Sequence, residues 1–178
     1  MKKTLILYFS RTGNNKFIAE KLSQTLESDI EAIKPKIKSF LLLIFSSLFK
    51  LGIGIKPLTY DVKNYERIIL LSPIWMGKLL SPIRGIIKKY GDEIKEIVFI
   101  TVCGSGIEDK DGKFGYETVF KEIKNILPSK EIKCFEISTT LLTKIGNPQT
   151  YSLPLVSEKD FTGAFKSRFD EIVETLKN

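Results

Sequence analysis

Histidine is absent from all 178 residues. That excludes Ser/His/Asp and Cys/His nucleophile systems and every zinc or haem site that needs an imidazole. Cysteine is scarce: Cys103 and Cys134 stand far apart, too few for a four-thiolate iron–sulfur cluster and too scattered for a secreted disulfide framework. A reducing, cytoplasmic setting is therefore expected. Long hydrophobic runs are lacking too. The amino-terminal apolar run stops at Phe9, before Arg11 and without a small-residue cleavage site, so it reads as a strand and not a signal peptide. The uncharged stretch Ser39–Phe49 falls well short of the ~20 residues a membrane span needs. With so much side-chain chemistry removed, any reaction here calls for a bound cofactor.

What remains describes one globular domain over residues 1–178, 43% hydrophobic and 28% charged. The net charge of +7 is unevenly placed. Lys34, Lys36, Lys38, Lys50 and Lys56 lie between Glu31 and Asp61 with no acidic residue among them, so this segment supplies +5. A nucleic-acid binder would spread its cations along one face among aromatics, so no nucleic-acid partner is expected. Here the lysines flank an apolar insert at about residues 36–56. Solvated lysines around an inserted helix are the plain account, and a patch for anionic lipid or an acidic partner is the sharper one.

Thr4–Phe9, Arg67–Leu71 and Ile97–Val102 are apolar almost throughout, as strands buried on both faces of a parallel sheet must be. Asp29–Lys34 and Ile132–Ile137 mix polar and apolar residues and read as edges. Helical spacing appears at Ile18, Leu22 and Leu26. It returns from an N-capping Ser81 with Pro82 to Gly91, from Tyr116 to Leu127, and from Phe161 to Leu176 behind a Ser157/Asp160 capping box. Five alternations of strand and helix define a doubly wound α/β domain with helices on both faces. The order 2-1-3-4-5 places the two mixed runs at the edges.

In such a sheet the ligand site lies beyond the carboxyl ends of the strands, where the winding reverses between strands one and three. After strand one comes Ser10-Arg11-Thr12-Gly13-Asn14-Asn15, two hydroxyls and a glycine leading into a helix, the chemistry of an anion cradle. The same residues would serve as a capped turn, but their position favours the anion. No GxxxxGK[ST] sequence exists, so this is not a nucleotide P-loop. After strand three comes Ser72-Pro73-Ile74-Trp75-Met76-Gly77-Lys78, holding the only tryptophan; its indole could stack on a flat heterocycle or cap the core. After strand four, Cys103-Gly104-Ser105-Gly106 permits close backbone approach. Asp109 occupies the third glycine position of a dinucleotide fingerprint and the arginine position of a Cys-x5-Arg phosphatase loop, which disfavours both. A phosphoacceptor receiver domain would need carboxylates where Ser10 and Ser72 stand.

These residues together resemble a known family. SRTGNN is similar to the phosphate-binding loop of flavodoxins, S/T-x-T-G-x-T, with Asn15 replacing the last threonine. SPIWMGKLLSPI resembles the Pro-Trp-Gly-Pro segment of bacterial flavodoxin-like proteins, and TVCGSG their turn after strand four. The resemblance implies a flavodoxin-like fold and non-covalent FMN. Ser10, Arg11, Thr12, Gly13, Asn14 and Asn15 would hold the phosphate. Pro73, Ile74, Trp75, Met76, Gly77 and Lys78 would line one side of the isoalloxazine, with Cys103, Gly104, Ser105 and Gly106 along the other.

Electron transfer to a redox partner protein is the reading favoured, since no separate nicotinamide site is visible. An FMN-dependent oxidoreductase taking hydride from NAD(P)H and reducing quinones or other small acceptors is the alternative. A binding module with a decayed flavin site is a third reading. Low-potential flavodoxins are strongly acidic, whereas this chain is basic and carries Lys78 beside Trp75, so a higher potential is expected. Glu108, Asp109 and Asp111 act in the opposite sense. The apolar insert must be covered: by the domain, by a homodimer partner, or transiently by a membrane surface or a quinone. Full burial within one subunit would remove the last option. Thr139–Ser157, long for a connection, reads as a lid near the flavin edge.

Overall fold

The computed structural model describes residues 1–104, 115–142 and 155–177. Five parallel strands, β1 (Thr4–Tyr8), β2 (Asp29–Ala32), β3 (Arg67–Leu71), β4 (Glu96–Cys103) and β5 (Ile132–Ser138), pair in the order β2-β1-β3-β4-β5. The order and all five strands match the reading of the sequence, with ends shifted by one or two residues. β3 is buried at every position, while β2 is half exposed, as an edge strand should be.

Because side chains alternate across a strand, each central strand feeds two cores. Leu5, Leu7, Ile68, Leu70 and Phe99 pack under helices α3 (Ser81–Tyr90) and α4 (Tyr116–Ile126). Ile6, Ile69, Leu71, Ile100 and Val102 pack under α1 (Asn14–Leu26) and α5 (Gly163–Lys177). The Ser157/Asp160 pair forms its reciprocal contact one turn ahead of α5, around the short 3₁₀ turn Glu158–Asp160 and not at the helix start.

The strands do not end level. Ser72 N–H still donates to Ile100 O at 3.2 Å, but Pro73 then turns the chain away and β4 runs on with β5 at its other edge and no strand on the β3 side. Asn15 fills the gap. Its Oδ1 accepts from Val102 N–H at 3.1 Å and its Nδ2 donates to Val102 O at 3.4 Å, all of it buried. A helix side chain thus completes a strand's hydrogen bonding and ties the start of α1 to the end of β4.

The insert between β2 and β3 has a stem and a helix. Lys36 N–H donates to Gly54 O and Lys56 N–H to Lys34 O, so residues 34–36 and 54–56 run together as an antiparallel stem beside the carboxyl end of β2. The helix α2 (Phe40–Leu48) rests on the start of α3. Ser81 is the first helical residue of α3, not its cap; Leu80 occupies the cap position. The N–H of Ser81 has no acceptor in its own helix and donates instead to Ser47 Oγ at 3.0 Å, while Ser46 Oγ lies 2.7 Å from Ser81 Oγ. Gly85 completes this seat: a Cβ added there would stand 2.1 Å from Ile53 O.

Two predictions follow from these contacts. Alanine for glycine inside a helix normally stabilises by about 1 kcal/mol, but Gly85→Ala must displace the Ile53 backbone and is expected to cost about 1–3 kcal/mol in urea unfolding; a gain would show that the insert lifts off freely. Asn15→Ala leaves the buried Val102 N–H without its acceptor and is expected to lower stability by about 1–3 kcal/mol, read from the same unfolding curves.

Candidate flavin site

The loop joining β1 to α1 is shaped by one residue. Gly13 caps α1 at φ +110°, a conformation that strains any side chain, and among the described residues no atom beyond its chain neighbours lies within 4 Å of where its Cβ would be. Among the described residues nothing crowds Gly13 on that side. Gly13 N–H donates to Ser10 Oγ at 3.1 Å, which folds the loop back and holds that hydroxyl beside the helix end. No carboxylate occupies the first turn of α1. Peptide N–H groups of a first helical turn have no acceptor within the helix and carry its positive end, so this open face suits an anion.

The two asparagines contribute differently from what the loop pattern suggests. The Asn15 carboxamide is engaged by Val102, and Asn14 Oδ1 accepts from Val156 N–H at 2.9 Å. Both residues are buried. The Asn15 carboxamide is thus engaged with β4, and its main-chain N–H lies in the first turn of α1. Ser10, Thr12 and Arg11 remain accessible at the loop surface.

The loop after β3 comes back on itself in a tight turn. Lys78 N–H donates to Trp75 O at 2.9 Å, with Met76 at φ +50° and Gly77 at φ +64°, the signs of a type I′ turn. Met76 at the tip is 51% exposed. Trp75 is half-buried and meets Phe9 edge-to-face at 6.2 Å between centroids and Phe40 at 5.1 Å. Arg11 completes the row, its guanidinium 3.3 Å above the Phe40 ring. Pro73 and Ile74 lead into the turn half-buried.

A cavity of about 620 Å³ opens here, lined among others by Ser10, Arg11 and Trp75 from the two loops and by Phe40, Lys38 and Lys56 from the insert. The structure thus brings the first two predicted loops together. Of the third loop, Cys103 is buried as the last residue of β4 and Gly104 is exposed, neither of them lining this cavity, while Ser105 and Gly106 lie outside the described residues. Residues 143–154 of the expected lid lie outside them as well; the flanking Leu142 and Val156 pack against the α1–α5 core. Phe9, Phe40, Lys38 and Lys56 were missed from the sequence, because nothing local signals that an insert folds back over a loop twenty or more residues earlier. Burial pushes the Cys134 thiol up to about 12, which keeps it protonated at neutral pH.

No family model and no curated protein sequence matches the chain. Solved structures do. A flavoprotein from Lactobacillus acidophilus NCFM in complex with FMN superposes with a TM-score of 0.64 at 19% identity, over 76% of this chain and 93% of that one. Its apo form gives 0.60 at 22% identity, over 76% and 92%. A Fusobacterium nucleatum flavodoxin bound to flavin mononucleotide covers 99% of this chain and 98% of its own, with a TM-score of 0.51 at 14% identity. Such identities speak for the path of the backbone. With the same strand order and helices on both faces, the chain has the flavodoxin-like fold.

Proposed function

We propose that the protein binds FMN non-covalently at the carboxyl ends of β1, β3 and β4 and transfers electrons through it. The observation that carries this reading is the open anion cradle of Ser10–Gly13 at the start of α1, set where the winding of the sheet reverses. Solved proteins of this fold that carry FMN support it. Bound flavin would supply one- and two-electron transfer.

The residues present fit the group. Hydroxyls of Ser10 and Thr12, with the N–H groups of the first turn, donate to a phosphate and leave it no acidic neighbour in the described first turn. The type I′ turn presents Met76, and the half-buried Trp75 behind it supplies a planar aromatic wall. Arg11, Lys38 and Lys56 around the adjoining cavity create a positive field, which favours negative charge arriving on a bound ring. On that ground the midpoint potential should lie above that of strongly acidic carriers, and potentiometric titration measures it directly.

Binding is tested by titrating the apoprotein with FMN and following quenching of flavin fluorescence. A one-to-one complex is expected, with riboflavin, which lacks the phosphate, binding at least about tenfold more weakly, since charge-assisted hydrogen bonds contribute about 1.5–3 kcal/mol each. Gly13→Ala, strained at φ +110°, should weaken FMN by a similar factor while leaving the fold intact by circular dichroism. Equal affinity for FMN and riboflavin, or no binding of either, defeats the assignment. Prompt bleaching of the yellow complex by NADPH would make the protein a reductase and not a carrier.

A further inference from the structure

Helix α2 is inside out. Its buried side chains are Leu43, Ser46 and Ser47, with both serines hydrogen-bonded toward α3. Apart from Leu43, its most apolar face points the other way: Leu41, Leu42 and Phe45, with Phe49 at the carboxyl cap, are 53–71% exposed. Nine large hydrophobic side chains are exposed among the described residues, and six of them lie between Phe40 and Leu51. That concentration is a patch, not scatter. The insert expected to be covered is therefore uncovered within one subunit.

The charges that the insert itself carries have one sign. Lys34, Lys36, Lys38, Lys50 and Lys56 are all exposed, and among the described residues none of them makes an ion pair. The three before α2 and the one after it bracket the apolar face. Lys34, Lys38 and Lys56 also gather with Phe40 around the cavity, so cations and exposed rings share one side of the molecule.

We propose that α2 docks the protein on anionic lipid bilayers, its apolar face entering the boundary between headgroups and acyl chains while the lysines meet lipid phosphates. With nine residues the helix cannot cross, and no helix among the described residues is long and apolar enough to do so. A second copy of the chain suits the face less well. Two-fold pairing would set this segment of +5 against itself, with no carboxylate of its own to offset the repulsion. A bilayer with negative headgroups satisfies the rings and the lysines at once. Docking would also hold the cavity mouth beside the lipid, since Phe40 belongs to both. Lipid binding at this face requires no flavin, so its failure leaves the flavin site untouched.

The test is flotation with unilamellar vesicles of equal parts phosphatidylglycerol and phosphatidylcholine, against vesicles of phosphatidylcholine alone. Binding to the anionic vesicles is expected, weakened by salt, and falling about fivefold for each lysine changed in Lys36→Gln and Lys38→Gln. The Phe45→Ser, Phe49→Ser double variant should lose at least about tenfold, its fold checked by circular dichroism. Should that variant fail to fold, quenching of Trp75 fluorescence in the unaltered chain by brominated phosphatidylglycerol gives the same answer, because Trp75 touches Phe40. Absence of flotation and quenching overturns the proposal. So does binding indifferent to both sets of substitutions, or a dimer in sedimentation that covers the helix and excludes lipid.

Discussion

A parallel sheet must be covered on both faces, and the crossovers that join its strands usually lay the helices that cover it. In this chain that requirement puts α1 and α5 on one side and α3 and α4 on the other. The step from β1 to β2 runs one way along the sheet and the step from β3 to β4 the other, so the winding reverses between β1 and β3, where a sheet of this kind opens a crevice at its strand ends. Everything that bears on function is arranged around that opening. β3 stops at a proline, β4 runs past it, and Asn15 closes the unfinished ladder from the helix side. The cradle at Gly13 is held rigidly because the helix that carries it is fastened to the sheet it faces.

The insert obeys a different logic. A surface helix ordinarily turns its apolar stripe inward, and burial of a large aliphatic or aromatic side chain contributes about 1.5–3 kcal/mol. In α2 the serines are inside instead, where Ser47 satisfies an N–H at the start of α3 that no residue of that helix could reach. The polar face thus anchors the helix by hydrogen bonds, and the apolar face is left to water. Stability alone does not produce that orientation. The row Arg11, Phe40, Trp75 and Phe9 then joins the insert to both loops of the candidate site, so the exposed face and the site adjoin through packed rings.

Much of the fold was legible because its signals are local. Apolar runs of strand length mark β1, β3 and β4, and mixed runs mark the edges, since burial on two faces or one leaves a direct trace in composition. The helix starts were less legible. Ser81 looks like a cap and is a first-turn residue, and Ser157 with Asp160 builds its contact before a 3₁₀ turn ahead of α5. In both places a residue suited to capping is used one step away from where the local pattern puts it. The pattern records hydrogen-bonding capacity, and the partner it finds depends on which neighbour arrives.

The order of residues by itself determined the alternation of strands and helices, the edge positions, the absence of imidazole chemistry and the glycine that opens the first loop. Each depends on a residue's own burial, charge or backbone freedom. Tertiary structure alone decided that Asn15 serves β4, that Phe40 closes against Trp75, and that α2 turns its serines inward. Those outcomes join groups from 34 to 87 positions apart, and no periodicity along the chain encodes a contact that exists only once two elements have been packed together.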